Sequence, residues 1–328
     1  MKISKMHIPK GADVHILPFY GQKFHNLLNF APHKPAAASS GSTESLQAMS
    51  KKDFTYTAKD GENIQVSLYG ADQYGNQPCV LYLHGFKGFK DWGFVPYVGE
   101  YFARQGLSFM CFNFSHNGIG NNPTEFTEFE KFRRNTFSRE VRETIELVEL
   151  ITRTNFFGRD MHHKLGLMGH SRGGGIALLA AEQLNEISAV ATWSAVSTFD
   201  RFDKKERQEW RKKGYKEVVN SRTGQVFQLG REMLDDIERH AKDELNILVA
   251  TKNLGRPLLI LHGQEDETVP YYEAETLNIY ADPALSRLRL IPNAGHTYGA
   301  KHPFEGTTPE LELTLQLTTD FFLKHLPE

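Results

Sequence analysis

The feature that most constrains this chain is a series of short, nearly unbroken apolar runs: PCVLYLHG, LSFMCFNF, HKLGLMG, ISAVATWS, PLLILHG and SRLRLIP. A strand that is apolar at consecutive positions must be covered on both faces, because neighbouring side chains point to opposite sides of a sheet. Helical stretches separate most of the runs. Residues 134–153 carry Val141, Ile145, Val148 and Ile151 at helical spacing with charges between them, and further helices are expected over 173–183 and 272–280. Apolar strands alternating with helices predict an α/β fold: a doubly wound, mostly parallel sheet flanked by helices, with right-handed crossovers. Ahead of it, DFTYTA and NIQVSLYG alternate about Lys59–Glu62 and predict an antiparallel hairpin.

The pattern has two interruptions. Residues 31–52 are rich in Ala, Ser, Pro and Gly without an apolar period and read as a linker, so residues 1–52 form an arm ahead of a domain at 53–328. Met49 is a second candidate start. Between 198 and 254 the alternation breaks into a charged helical run, a hairpin about Asn220–Gly224 and a further helical run, MLDDIERHAKDELNIL. An insertion there, before the PLLILHG strand, is expected to form a cap, because loops leaving the carboxyl ends of such strands overhang the ligand crevice.

Composition narrows the function. A net charge of −2 gives no reason to expect nucleic acid as a partner. No apolar run approaches the roughly 18–20 residues of a membrane span, and the N-terminus lacks the apolar core of a secretory signal. A cytoplasmic protein is the expectation. Cys79 and Cys111 both fall in apolar runs and read as reduced core thiols, with a disulfide or a reactive thiol as the alternative. There is no dinucleotide or phosphate-loop motif, no HExxH and no paired CxxC, so neither metal nor organic cofactor is implied.

Three positions carry chemistry. Gly169-His170-Ser171-Arg172-Gly173 is a G-x-S-x-G pentapeptide between an apolar strand and an Ala/Leu-rich helix. A serine presented at so sharp a turn needs flanking glycines, and the turn aims the helix N-terminus at the reacting centre. A serine hydroxyl needs a base, and His296, in a loop after the last strand with Gly295 beside it, is the candidate; His302 on the same loop is its rival. His162 and His163 precede the strand leading to the serine and are expected at its far end. An acid must hold the imidazole, and LLILHGQEDETVP supplies Asp266, with Glu265 as alternative. The order Ser–Asp–His is that of α/β-hydrolases. The amide of Arg172, the residue after the nucleophile, is expected to give one oxyanion donor.

From Asp53 onward the chain resembles the α/β-hydrolase superfamily. Its closest likeness is to the branch of feruloyl (cinnamoyl) esterases and prolyl-oligopeptidase-related, dienelactone-hydrolase-like proteins. The motifs are His84-Gly85-Phe86 after a strand, the serine pentapeptide, His262–Pro270 around the acid, and Gly295-His296. The resemblance implies the second oxyanion donor at Phe86, in HGFKG rather than the HGGG of many lipases. It also implies a site-lining loop at Asn113–Gly118, including His116. Phe89 and Trp92 are expected on a pocket wall, and His170 beside the site. The implied function is hydrolysis of a small-molecule carboxylic ester through an acyl-Ser171 intermediate. The alternatives are amide cleavage, as in peptidases of that branch, which usually carry a large extra N-terminal domain, thioester hydrolysis or acyl transfer, and a non-catalytic ligand-binding role.

Overall fold

A computed structural model of the chain describes residues 50–326 apart from 162 and 163. The arm up to residue 49 and the two histidines expected at a strand's far end lie outside the described residues. In chain order the elements are β1 (Lys51–Thr57), β2 (Asn63–Tyr69), β3 (Cys79–Leu83), α1 (Val95–Arg104), β4 (Ser108–Phe112), α2 (Phe129–Arg133), α3 (Phe137–Arg153) and β5 (Leu165–His170). They continue with α4 (Arg172–Gln183), β6 (Ile187–Trp193), α5 (Lys204–Lys213), β7 (Tyr215–Val219), β8 (Val226–Gly230), α6 (Arg231–His240), α7 (Ile247–Asn253), β9 (Leu258–Gly263), α8 (Tyr272–Tyr280), β10 (Ser286–Ile291) and α9 (Pro309–His325).

One sheet of eight strands runs β1-β2-β4-β3-β5-β6-β9-β10. β1 and β2 form the expected hairpin, with Tyr56 opposite Ile64 and Phe54 opposite Val66, and β2 pairs antiparallel with β4. From β4 onward every pairing is parallel. β1 begins at Lys51, inside the stretch read as linker.

The unbroken apolar runs are explained by two cores, one on each face. Along β3, Cys79, Leu81 and Leu83 face the core that holds Val148 of α3 and Ile176 of α4. Val80 and Tyr82 face the other, with Phe102 of α1 and Phe322 of α9. β9 alternates in the same way, Ile260 to the first core and Leu261 to the second. β10 departs from the rule: at the sheet edge, it leaves Arg287 and Arg289 out of either core. Both cysteines are free and buried, and burial pushes each thiol up to about 12, so neither is poised as a thiolate.

The insertion between β6 and β9 contains α5, the β7–β8 ribbon, α6 and α7. α5 starts at a capping box, Asp203 with Glu206, and stops at Gly214 with φ +80°. The MLDDIERHAKDELNIL run is two helices rather than one. The Leu245 amide bonds back to the His240 carbonyl at 2.8 Å, and Asn246 caps α7 by accepting from Val249 N. Trp210 anchors the ribbon from α5, fully buried and donating its indole N–H to the Gly230 carbonyl at 3.1 Å. Among the described residues no helix is long and apolar enough to cross a membrane.

Candidate active site

The parallel register brings the strand ends to one edge: Leu83 lies beside Gly169, His170 beside Trp193, Trp193 beside Leu261, and Gly263 beside Ile291. The loops leaving that edge carry Phe86, Ser171, Asp266 and His296, as expected where a doubly wound sheet offers its carboxyl ends to a ligand.

Ser171 follows central strand β5 and precedes α4. Its backbone is at φ 56°, ψ −122°, a conformation that a side chain adopts only at a cost of order 1–3 kcal/mol. The turn is possible because its neighbours lack Cβ atoms. A Cβ on Gly169 would lie 2.1 Å from the Gly173 carbonyl oxygen, and one on Gly173 would lie 2.3 Å from the Leu83 carbonyl oxygen. The Ser171 amide is tied to Trp193 O at 2.8 Å. Gly85 abuts the same serine, since a Cβ there would sit 3.0 Å from Ser171 Cβ.

His296 Nδ1 lies 2.7 Å from Asp266 Oδ2. The other oxygen, Oδ1, accepts the amides of Thr268 and Val269, each at 2.9 Å. His262 stands 3.4 Å from Oδ2 while its Nε2 donates to Val269 O at 2.7 Å. Burial pushes the Asp266 carboxyl up, but these hydrogen bonds and His296 outweigh it and hold the group well below the ordinary carboxylate range. It is therefore an anion at neutral pH, with both oxygens committed. Glu265, the alternative, is exposed. His302 also serves elsewhere: its Nδ1 accepts the Gly93 amide at 2.9 Å and its ring stacks on Trp92.

His170 is almost buried and its Nε2 donates to the His296 carbonyl at 2.8 Å, with the two rings 4.8 Å apart. Burial foremost, then the neighbouring His296, push its pKa down to about 3, so it is the neutral tautomer that holds the histidine loop. His84 is buried as well, its Nδ1 bonded to Gly85 O at 2.9 Å and its Nε2 facing the Phe114 and Asn117 donors. It sets the course of the loop that carries Phe86.

The amides of Phe86 and Arg172 donate to no other group among the described hydrogen bonds. Their side chains meet: the Arg172 guanidinium lies 5.1 Å from the Phe86 ring centroid and pairs with fully buried Glu140 at 2.8 Å. Burial pushes Glu140 up to about 7, against the pull of Arg172 and of Asn135, which donates to it at 2.7 Å. Breaking this pair strands a buried charge. Glu140→Ala is expected to cost about 3–5 kcal/mol, and Glu140→Leu combined with Arg172→Met markedly less than either half alone. Urea unfolding midpoints with unchanged slopes are the check; equal losses in the single and double variants would mean the pair is not coupled.

Two cavities meet at Ser171. One, of about 180 Å³, is walled by Phe86, Phe137, Val196, Phe199 and, from the insertion, Phe202, Leu229 and Met233. Phe137 and Phe199 stack face to face, centroids 3.9 Å apart. The other mixes apolar wall with polar side chains: it holds His296, His170, Trp92 and Thr297, and Asn220, Ser221 and Arg222 line it from the tip of the β7–β8 ribbon. Of the expected wall residues, Trp92 lines this cavity. Phe89 does not: it is fully buried against Phe126 and His302, because the loop turns it into the first core. Nor does His116 line either cavity; it is buried, with Nδ1 bonded to Ser115 Oγ at 2.8 Å, and Ser115 in turn is tied to buried Glu143. The sequence reading missed Lys87, although it lies in HGFKG, and also Arg222, Phe137 and Phe199, which lie in no recognisable motif. The group His240, Asp243 and Glu244 is half-buried to exposed on the insertion and lines neither cavity.

Comparison with known proteins adds a family. The model of the prolyl oligopeptidase family matches residues 101–326. No functionally curated protein matches the chain in sequence at a significant level. Among solved structures, Est1E from Butyrivibrio proteoclasticus, described with ferulic acid bound, is 19% identical over 82% of this chain and 98% of its own, with a TM-score of 0.61. The esterase domain of a Rhodothermus marinus protein is 18% identical over 84% and 99%, TM-score 0.56. A dienelactone hydrolase from Anabaena variabilis is 17% identical over 85% and 100%, TM-score 0.57. At such identities the likeness is one of fold.

Proposed function

Because the chain belongs to the prolyl oligopeptidase family of the α/β-hydrolase superfamily, we propose that it is a serine esterase acting on small carboxylic esters. The observation that carries this reading is a strained serine at the junction of two cavities, one apolar and one that contains a carboxylate-held histidine.

Ser171 is the nucleophile. With His296 Nδ1–H donating to Asp266, Nε2 keeps its lone pair and accepts the serine proton as Oγ bonds to the acyl carbon. The carbonyl oxygen becomes an anion between the Phe86 and Arg172 amides, where losing one donor in such sites costs about 2.7–4 kcal/mol. Collapse of the intermediate breaks the ester C–O bond, and His296 returns the proton to the departing alcohol. Water then repeats the sequence on the acyl-serine and releases the acid.

The position of His296 orients the substrate. The leaving oxygen must receive the histidine's proton, so the cavity that contains the imidazole takes the alcohol half, and the apolar cavity takes the acyl half. An apolar wall favours acyl chains by the transfer of each methylene out of water, worth about 0.8 kcal/mol. The ester reading agrees with the esterases among the structural neighbours. The peptidase side of the family is the second reading.

The test is hydrolysis of p-nitrophenyl esters from acetate to decanoate, with Ser171→Ala as the blank, beside aminoacyl p-nitroanilides. Serine-dependent ester turnover with a chain-length optimum supports the proposal; turnover of the anilides alone replaces it with the peptidase reading. Phe202 is a half-buried cap residue on the acyl wall. Phe202→Ala is expected to move the preferred chain to greater length, read as kcat/KM across the series, and an unchanged optimum would remove the cap from acyl selection.

A further inference from the structure

The alcohol cavity is charged in one sense. Lys87, from the HGFKG loop, and Arg222, from the ribbon tip, both line it together with His296, and among the described residues no carboxylate does. Among the described residues neither cation forms an ion pair with Asp or Glu. Glu265 and Glu267, which flank the acid in sequence, are exposed and do not line the cavity. Asp266 is behind the imidazole with its oxygens committed.

Lys87 is fixed through its side chain, and Arg222, itself exposed, through the backbone of its turn. Lys87 has a left-handed backbone, φ 57°, and its Nζ donates to Val219 O at 3.0 Å, which pins the β7–β8 ribbon over the site and leaves two ammonium donors. Arg222 sits in a closed turn. The Asn220 amide bonds Gln225 O at 2.8 Å, the Gly224 amide bonds Asn220 O at 2.8 Å, and the Arg222 amide donates to Asn220 Oδ1 at 3.2 Å. Partial burial pulls the Lys87 pKa down, as expected of a cation that lacks a counter-charge. Trp92, stacked on His302 with centroids 5.9 Å apart, supplies a flat wall in the same cavity.

We infer that the alcohol half of the substrate is anionic, carrying a carboxylate or phosphate that Lys87 and Arg222 bind while Trp92 packs against its body. This rests on the esterase reading and sharpens it to a substrate class. Two cations lining one cavity without an anion repel each other, and a bound anion converts that repulsion into attraction. Loss of one partly exposed charge contact should change selectivity by about three- to tenfold, since such contacts are worth about 1 kcal/mol and salt screens them.

The probes are butyrate esters of 4-hydroxybenzoate, of 4-hydroxybenzamide and of 4-hydroxyphenyl phosphate. The benzamide phenol is the better leaving group of the first pair, so chemistry alone favours the neutral ester. The expected result is a kcat/KM ratio of carboxylate to carboxamide ester above one by about five- to tenfold at low salt. That ratio should shrink in 0.5 M salt, by way of ~ a twofold shorter screening length than at 0.1 M. Arg222→Gln and Lys87→Gln should each lower it, mainly through KM. Comparison with the phosphate ester identifies which anion the site prefers.

Serine-dependent hydrolysis with a ratio at or below one, or a ratio that neither variant changes, overturns the inference. Absence of serine-dependent turnover of all three overturns the esterase reading instead. Calorimetry on the Ser171→Ala protein then still decides the anion site. Binding of 4-hydroxybenzoate that is tighter than that of 4-hydroxybenzamide, and weakened in Arg222→Gln, supports it; equal binding removes it.

Discussion

Replacing Ser171 by alanine is expected to lower ester turnover by about 10⁴–10⁶-fold while leaving the protein as stable as the parent. The two halves of this expectation come from different features of one residue. Alanine keeps the Cβ, so the strained backbone at φ 56° and the close glycine approaches on either side are untouched. The Ser171 hydroxyl has no hydrogen bond among the described residues, so its removal leaves no partner unsatisfied. What disappears is the atom proposed to bond to the acyl carbon. The residual rate should reflect water attack on a carbonyl still polarised by the Phe86 and Arg172 amides. A thermal melt of both proteins and a p-nitrophenyl butyrate assay settle the matter. A folded variant with near-parental turnover would move the nucleophile elsewhere, and a variant that fails to melt cooperatively would make Ser171 structural.

The sheet was legible wherever both faces of a strand are buried, because consecutive apolar residues then have no other explanation. Cys79–Leu83 and Leu258–Leu261 each divide their side chains between two cores. The serine turn was legible for a related reason: only glycine allows Gly169 and Gly173 to approach backbone carbonyls so closely. Where the sequence was silent, the deciding contact was distant along the chain. Phe89 and Trp92 stand three residues apart on one loop, and only the tertiary fold turns the first into the core and the second toward a cavity. Arg222 reads as an ordinary turn arginine, and Lys87 as an ordinary loop lysine. That both line one cavity depends on the ribbon folding back across the HGFKG loop, held by a hydrogen bond spanning 132 residues. A single amphipathic run likewise concealed the break between α6 and α7, because the bond from Leu245 N to His240 O can form in a sequence whose apolar spacing continues through it.

Asp266→Asn is expected to lower kcat by about 10⁴-fold, through the tautomer of His296 rather than through its position. Asp266 Oδ1 accepts two backbone amides, from Thr268 and Val269. An asparagine must leave its carbonyl oxygen there, since an amide NH₂ facing two N–H donors would lose both bonds. Its NH₂ then occupies the Oδ2 site, 2.7 Å from His296 Nδ1. A donor at that place forces Nδ1 to become the acceptor and moves the imidazole proton to Nε2, the nitrogen that must be free to take the serine proton. The negative charge that stabilises the imidazolium is lost with it. His170 should still hold the loop by its bond to the His296 carbonyl, so the fold and the cavity survive. Glu265→Gln alters an exposed side chain with no bond to the histidine and should leave kcat within about twofold. Steady-state kinetics on the two variants, with their melts, separate the roles. A large loss at Glu265 with little at Asp266 would transfer the orienting role to the neighbouring carboxylate, and comparable small losses would mean that His296 needs no acid to choose its tautomer.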